Sequence, residues 1–241
     1  MTGEVTNVSE TISVPSRFNG PEQSGNGGYS CGLFAALLDG QAEVSLRSPV
    51  PMDTDLEAER AGEAVRILDG TTVIAEAHPA PPVDAAVPAV VGVEGARRAS
   101  RRYRAPEEGL FAHCFVCGRA RRDSFEVFAG EVEDDSMVAT TWSPPEWTAG
   151  ESGEVRPELV WAVLDCPTYF AVHIGAEMTM SFLARQSVTV HAPIQPGTEH
   201  VVVSWPIELD GRKRSAGAAL LSGAGEVLAS GRALLIEARP G

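Results

Sequence analysis

The sequence is short of lysine, of cysteine and of long apolar runs, and each shortage removes a class of function. Lys213 is the only lysine, so nearly all positive charge sits on arginine, and the net charge is −14. An excess of acid of that size repels phosphate backbones, so nucleic acid is excluded as an expected partner. No apolar stretch approaches the length of a membrane span. The first ten residues are polar and acidic and carry no signal-peptide core, which points to a cytoplasmic protein. The four cysteines, Cys31, Cys114, Cys117 and Cys166, are too few for a disulfide framework and are expected to be free thiols. His113-Cys114-Phe-Val-Cys117-Gly is a single Cys-x-x-Cys with no second pair. Structural zinc wants four ligands, although Cys166 and His173 are brought near if the fold allows it. The reading adopted is two small packed thiols in a strand, with no metal and no cofactor.

What is present is an ordinary globular composition, 44% hydrophobic and 22% charged, long enough for one large or two small domains. The stretch Ser24-Gly-Asn26-Gly27-Gly28-Tyr29-Ser-Cys31-Gly-Leu33-Phe34-Ala-Ala-Leu37-Leu38 predicts a helix with no polar face, which other structure must wrap. Its small residues admit close backbone approach, and its Gly-rich start exposes N–H groups at the positive end of the helix dipole. A strand is expected before it at 11–18. Strands are expected after it at 42–47, 56–61, 63–68 and 71–77, separated by turn residues. From 81 to 108 the pattern breaks into prolines and then Arg97-Arg98-Ala-Ser-Arg101-Arg102-Tyr103-Arg104. This reads as a solvated linker that has room for a short helical or extended piece, with a clamp for the phosphates of a nucleotide-tailed substrate such as coenzyme A as the sharper alternative.

The second half predicts strands at 125–129 and 137–142 around the Asp134-Asp135 turn, then a second apolar helix at 157–172. Strands at 186–192, 200–209, 215–221 and 226–236 follow. Val44-Ser-Leu46-Arg-Ser-Pro49-Val50 aligns with Val188-Thr-Val190-His-Ala-Pro193-Ile194 at a constant offset (188 − 44 = 144, 193 − 49 = 144). The chain therefore reads as a duplicated α+β unit: a first repeat at 1–80, the linker at 81–108 and a second repeat at 109–241.

A strand, a buried helix and an antiparallel meander, present twice, resemble the hotdog fold in its tandem, double form, closest to the type II acyl-CoA thioesterases. The resemblance implies two antiparallel sheets, each wrapped around a central helix. Gly27-Gly28 looks like the family's Gly-Gly-Gln helix opening, with Tyr29 in place of Gln. Trp161-Ala-Val-Leu-Asp165-Cys-Pro-Thr-Tyr-Phe170 resembles the segment that carries the catalytic aspartate, which makes Asp165 its counterpart. Ser187-Val-Thr-Val-His191-Ala-Pro193-Ile194 resembles the Ser/Thr-x-x-Phe-His-x-Pro-Phe strand, with Ser187 as the hydroxyl partner. The family's last-strand Gln falls at Ala233 here, or at Arg232 with a slip of one.

On this reading Asp165 and Ser187 are the catalytic candidates, and Asn26, Gly27, Gly28, Tyr29 and Arg232 hold the substrate. Asp165 is the only acid in an apolar helix. It serves either as a base for water or as a cap where Pro167 interrupts the helix N–H series. Asn26 is equally suited to capping its own helix. The expected activity is hydrolysis of an acyl-CoA or acyl-carrier thioester. A non-catalytic acyl or acyl-CoA binding or pathway accessory protein is the alternative, and a lyase or isomerase acting on a thioester, needing His173 or His191 to face Asp165, is a third reading. His78 and His200 join no recognisable motif. Glu158 and Glu177 read as solvated or capping charges, and Trp142, Trp147, Trp161 and Trp205 as core or tunnel lining. A homodimer of double-hotdog chains is expected.

Overall fold

The computed structural model describes residues 10–84, 86–104, 108–134 and 136–239. The predicted Asp134-Asp135 turn lies partly outside them, as do parts of the first repeat and of the linker. The first half runs β1 (Glu10–Ile12), α1 (Gly27–Ala35), β2 (Ala42–Leu46), β3 (Leu56–Ala61), β4 (Ala64–Asp69) and β5 (Thr72–Pro79). After α2 (Val93–Ser100) come β6 (Gly130–Glu131), β7 (Val138–Trp142), α3 (Pro157–Ala171), β8 (Ser181–Val190), β9 (His200–Asp210), β10 (Lys213–Leu221) and β11 (Val227–Glu237).

The strands form one antiparallel sheet in the order β1-β3-β4-β5-β2-β8-β11-β10-β9-β7-β6. The expectation of two separate sheets is thereby corrected. β2 and β8, each at the open edge of its half, pair across the middle and remove both edges. The seam joins Glu43 to Ser187, Val44 to Gln186 and Ser45 to Arg185, and an exposed Glu43–Arg185 ion pair spans it. Glu43 and Ser187 differ by the offset read from the sequence (187 − 43 = 144), so equivalent positions face each other where the halves meet. Strand order on the two sides also corresponds, β3-β4-β5-β2 against β9-β10-β11-β8.

One face of the sheet holds α1 and α3, which cross in direct contact. Side chains at the crossing would collide: a Cβ on Gly28 would lie 2.5 Å from the Asp165 Cβ, 2.7 Å from the Trp161 carbonyl and 2.9 Å from the Ala162 Cα. At Gly32 it would lie 2.6 Å from the Glu158 Cα. Each helix is therefore wrapped by the sheet on one side and by the other helix on the other. Their buried side chains belong to one continuous core that includes Phe34, Leu56, Ile67, Leu159, Leu164 and Leu220.

Three local expectations change. The strand expected at 11–18 shortens to β1, followed by a 3-10 turn at Ser16–Phe18. The strand expected at 125–129 is irregular, because Glu126 adopts a left-handed backbone (φ 55°) and the segment bonds to Phe115 and Val116 instead. The Arg-rich stretch is less solvated than expected, and the short helical piece it had room for is present. It forms α2, whose Ala96 and Ala99 pack on Met137, Ala139, Val203 and Trp205 in a separate apolar cluster. Arg97 pairs with Glu94 and Glu199, Arg98 with Glu133 and Arg104 with Glu131, while Arg102 donates to the Val132 carbonyl. Four of the five guanidinium groups proposed for a phosphate clamp, those of Arg97, Arg98, Arg102 and Arg104, are engaged within the chain.

Candidate active site

Where α1 begins, its N-terminal turn meets the middle of α3. Asn26 caps α1, its Oδ1 accepting the Tyr29 N–H at 2.9 Å. The next free donor, the Gly28 N–H, is taken by Asp165, whose Oδ2 accepts it at 2.9 Å. Asp165 therefore does not cap the break at Pro167, since α3 runs on through that proline and Thr168 Oγ1 serves the Asp165 carbonyl at 2.6 Å. The carboxylate instead reaches from one helix to the positive end of the other. Burial pushes its pKa up to about 7, opposed by the Gly28 N–H and reinforced by the neighbouring Cys114. Among the described residues Asp165 Oδ1 and the Gly27 N–H make no hydrogen bond.

Asn26, Gly27 and Asp165 open onto a cavity of about 1300 Å³. Its apolar wall includes Leu46, Leu110, Phe111, Tyr169, Phe170 and Leu183, and Arg47 and Arg212 also line it. A volume of this size exceeds the usual ~300–1,000 Å³ of a small-ligand site and suits an extended, largely apolar group.

The other sequence candidates lie elsewhere. Tyr29 is buried in an aromatic cluster, stacked on Phe18 at 4.1 Å and edge-on to Phe115, and does not line the cavity. Burial raises its phenol to about 12. Gln186 points to the helices and donates to the Trp161 carbonyl at 3.0 Å. Strand alternation turns its neighbour Ser187 to the opposite face of the sheet. Arg232 pairs directly with Ser187, shares that face and is exposed. The structure thus separates Ser187 and Arg232 from Asp165. No histidine lines the cavity among the described residues. His173 is held by the Tyr169 carbonyl and Thr179, and His191 by Ser230. His200 is buried in the sheet, and His78 lies at the end of β5. The tryptophans are likewise outside it: Trp142, Trp161 and Trp205 are buried, and Trp147 lies at the surface under Arg17.

One feature escaped the sequence reading, and one alternative it left open is realised in part. Gln186 lies directly across from Ala233, the position where the resemblance expects a glutamine, and its Oε1 is buried with no partner among the described residues. Cys114 and Cys117 sit in a loop of successive turns, not in a strand, and Cys166 joins them at the cavity wall. The first follows from the pairing of β8 with β11, which has no local signal in the sequence. The second needed the fold, because α3 supplies the third sulfur.

No family model matches the sequence, and no curated protein matches it. Solved structures do match. The tesB protein of Mycobacterium avium subspecies paratuberculosis superposes over 98% of this chain and 96% of its own, with a TM-score of 0.63 at 13% identity. A putative thioesterase II from Thermobifida fusca covers the same shares, with a TM-score of 0.64 at 13% identity. A conserved protein with a hot dog fold from Alicyclobacillus acidocaldarius covers 99% of this chain and 96% of its own, with a TM-score of 0.61 at 14% identity. No helix among the described residues is long and apolar enough to cross a membrane. Over nearly its whole length, the chain has the α+β hotdog fold of the thioesterase II structures.

Proposed function

We propose that the chain hydrolyses an acyl thioester carried by coenzyme A or an acyl carrier, with two hotdog repeats (1–80 and 109–241) joined by the segment at 81–108. The observation that carries this reading is the Asp165 carboxylate bonded to the Gly28 N–H in the wall of an apolar cavity. The acyl chain occupies the apolar part, and the thioester carbonyl lies at the start of α1. The Gly27 N–H then stabilises the oxyanion that forms as water attacks. Asp165 accepts the proton of that water through Oδ1. The tetrahedral intermediate collapses with loss of the thiolate, which recovers a proton and leaves as free thiol beside the carboxylic acid product. Four free cysteines support a reducing, cytoplasmic setting.

Asp165→Asn tests this reading, because the amide oxygen still accepts the Gly28 N–H while the base is lost. Thiol release across a panel of acyl-CoA chain lengths is expected to fall about 10²–10⁴-fold with the fold intact. Equal rates in the two proteins remove Asp165 from the mechanism.

One observation favours the alternative, an acyl-CoA binding protein without turnover. Ala233 stands where the resembled family has its glutamine, and the Gln186 carboxamide opposite is already bonded to the Trp161 carbonyl. Retention of acyl-CoA in native mass spectrometry with no thiol release at any chain length selects that reading.

A further inference from the structure

The three buried sulfurs beside the cavity have no part in the chemistry above. The Sγ atoms of Cys114, Cys117 and Cys166 all lie within 4.8 Å of one another, and Cys114 Sγ and Cys166 Sγ are 3.8 Å apart. Thiolates bound to one tetrahedral zinc at about 2.3 Å are separated along each tetrahedral edge by about 3.8 Å. The surroundings are also those of a metal-thiolate site. Asn26 Nδ2 points at Cys114 Sγ (3.7 Å) and at Cys166 Sγ (3.8 Å). Such a donor stabilises negative charge on sulfur and fixes ligand orientation. Gly118 follows the second cysteine where a Cβ would lie 2.5 Å from the Ala112 carbonyl and 2.6 Å from the Cys114 N and O atoms. The loop is thus closed tightly around its own sulfurs, and Tyr103 Oη fixes it by donating to the Cys117 carbonyl at 2.6 Å.

We propose that Cys114, Cys117 and Cys166 bind a zinc ion at the cavity wall, with the fourth coordination position open to the cavity. Closed structural sites draw four ligands from the protein, whereas open ones draw three. Among the described residues no histidine completes this set: His113 is exposed and lies 3.6 Å from Glu22, and His173 is held on Tyr169 and Thr179. All three cysteines line the cavity, so the remaining position faces it. The ion ties the Cys114–Cys117 turns to α3 and therefore to the wall that carries Asp165. The proposal does not depend on hydrolysis and is read without substrate.

The test uses the full chain, purified under reducing conditions without a polyhistidine tag or chelator. Elemental analysis is expected to find about one zinc per chain. After zinc removal, cobalt(II) titration of the native protein is expected to end at about one equivalent, with a thiolate-to-cobalt charge-transfer band and tetrahedral ligand-field bands. Cys166→Ser is expected to lose that band, Cys31→Ser to keep it, and Asn26→Ala to weaken zinc binding about 10–100-fold. The proposal is overturned by a reduced native chain that develops no such band with micromolar cobalt. Iron or copper in place of zinc overturns it too, as does a disulfide between any two of the three sulfurs, or a Cys166→Ser protein that holds zinc as tightly as the native one. The native cobalt titration keeps the test decisive should a cysteine variant fail to fold.

Discussion

The helix starts of the two halves make two versions of the same opening, and they differ in the groups they expose. In the first, Asn19 bridges to Gly25 and the Gly25 N–H donates to the Val50 carbonyl; in the second, Ala149 bridges to Val155 and the Val155 N–H donates to Ile194. The bridges are related by 130 residues (149 − 19 = 130, 155 − 25 = 130), and the acceptors by 144 (194 − 50 = 144). The helix crossing follows the same rule, since Gly28 meets Ala162 and Gly32 meets Glu158, an exchange of equivalent positions (162 − 32 = 130, 158 − 28 = 130). Yet the cleft before α1 holds about 1300 Å³ and the one before α3 about 530 Å³. The first is closed by Asp165, whereas the equivalent place facing the second is Ala35 (165 − 130 = 35). The first helix opens Asn26-Gly27-Gly28, where the Gly27 N–H is unbonded among the described residues; the second opens Arg156-Pro157-Glu158, where proline offers no N–H. A shared scaffold provides both clefts, and a few side chains make their sizes and polar groups differ.

The largest effect expected from breaking this asymmetry is on turnover. Asp165→Asn should lower thiol release about 10²–10⁴-fold, while Arg156→Ala at the other helix start leaves it unchanged. Comparable losses in the two variants would make both clefts part of one site. Next in size is Gly28→Ala, whose added methyl meets the backbone and Cβ of α3; overpacking there should cost about 1–3 kcal/mol in urea unfolding. The equivalent Glu158→Ala, free of such a collision, should cost far less, and equal costs would disprove the crossing geometry. Asn26→Ala removes a helix cap that α3 lacks, a loss of about 1 kcal/mol. A chain of this size should then melt about 2–4 °C lower. Smallest is Arg185→Ala at the seam, an exposed ion pair whose loss should change stability by no more than about 1 kcal/mol.

Much of the fold was legible because its elements obey local periodicity. The strand expected at 56–61 is β3 with the same bounds, and the helix expected at 157–172 is α3 to within a residue. The offset of 144 even locates the seam. The second offset of 130 was also in the sequence, in Pro15 and Gly20 against Pro145 and Gly150, but it needs the 3-10 turns to be recognised as equivalent. The pairing of β2 with β8 into one sheet has no local signature, since it joins edges that each half leaves open. Of the site, Asp165 and Asn26-Gly27-Gly28 were visible as polar or small exceptions in apolar helices. Ser187 and Arg232 were placed by resemblance alone, and strand alternation turns both away from the cavity. The sulfur cluster was legible only as an open alternative, because Cys166 is 49 residues beyond Cys117 and the packing of α3 brings it back.

The most direct measurement is a crystal soaked with a non-hydrolysable acyl-CoA. The account predicts an acyl chain in the larger cavity, with its carbonyl oxygen within hydrogen-bond reach of the Gly27 N–H and Asp165 beside the carbonyl carbon. An acyl group lodged in the cleft of Gly150–Pro157 and Val190–Ile194, or lying along the outer face of the sheet with Ser187 and Arg232, would contradict it.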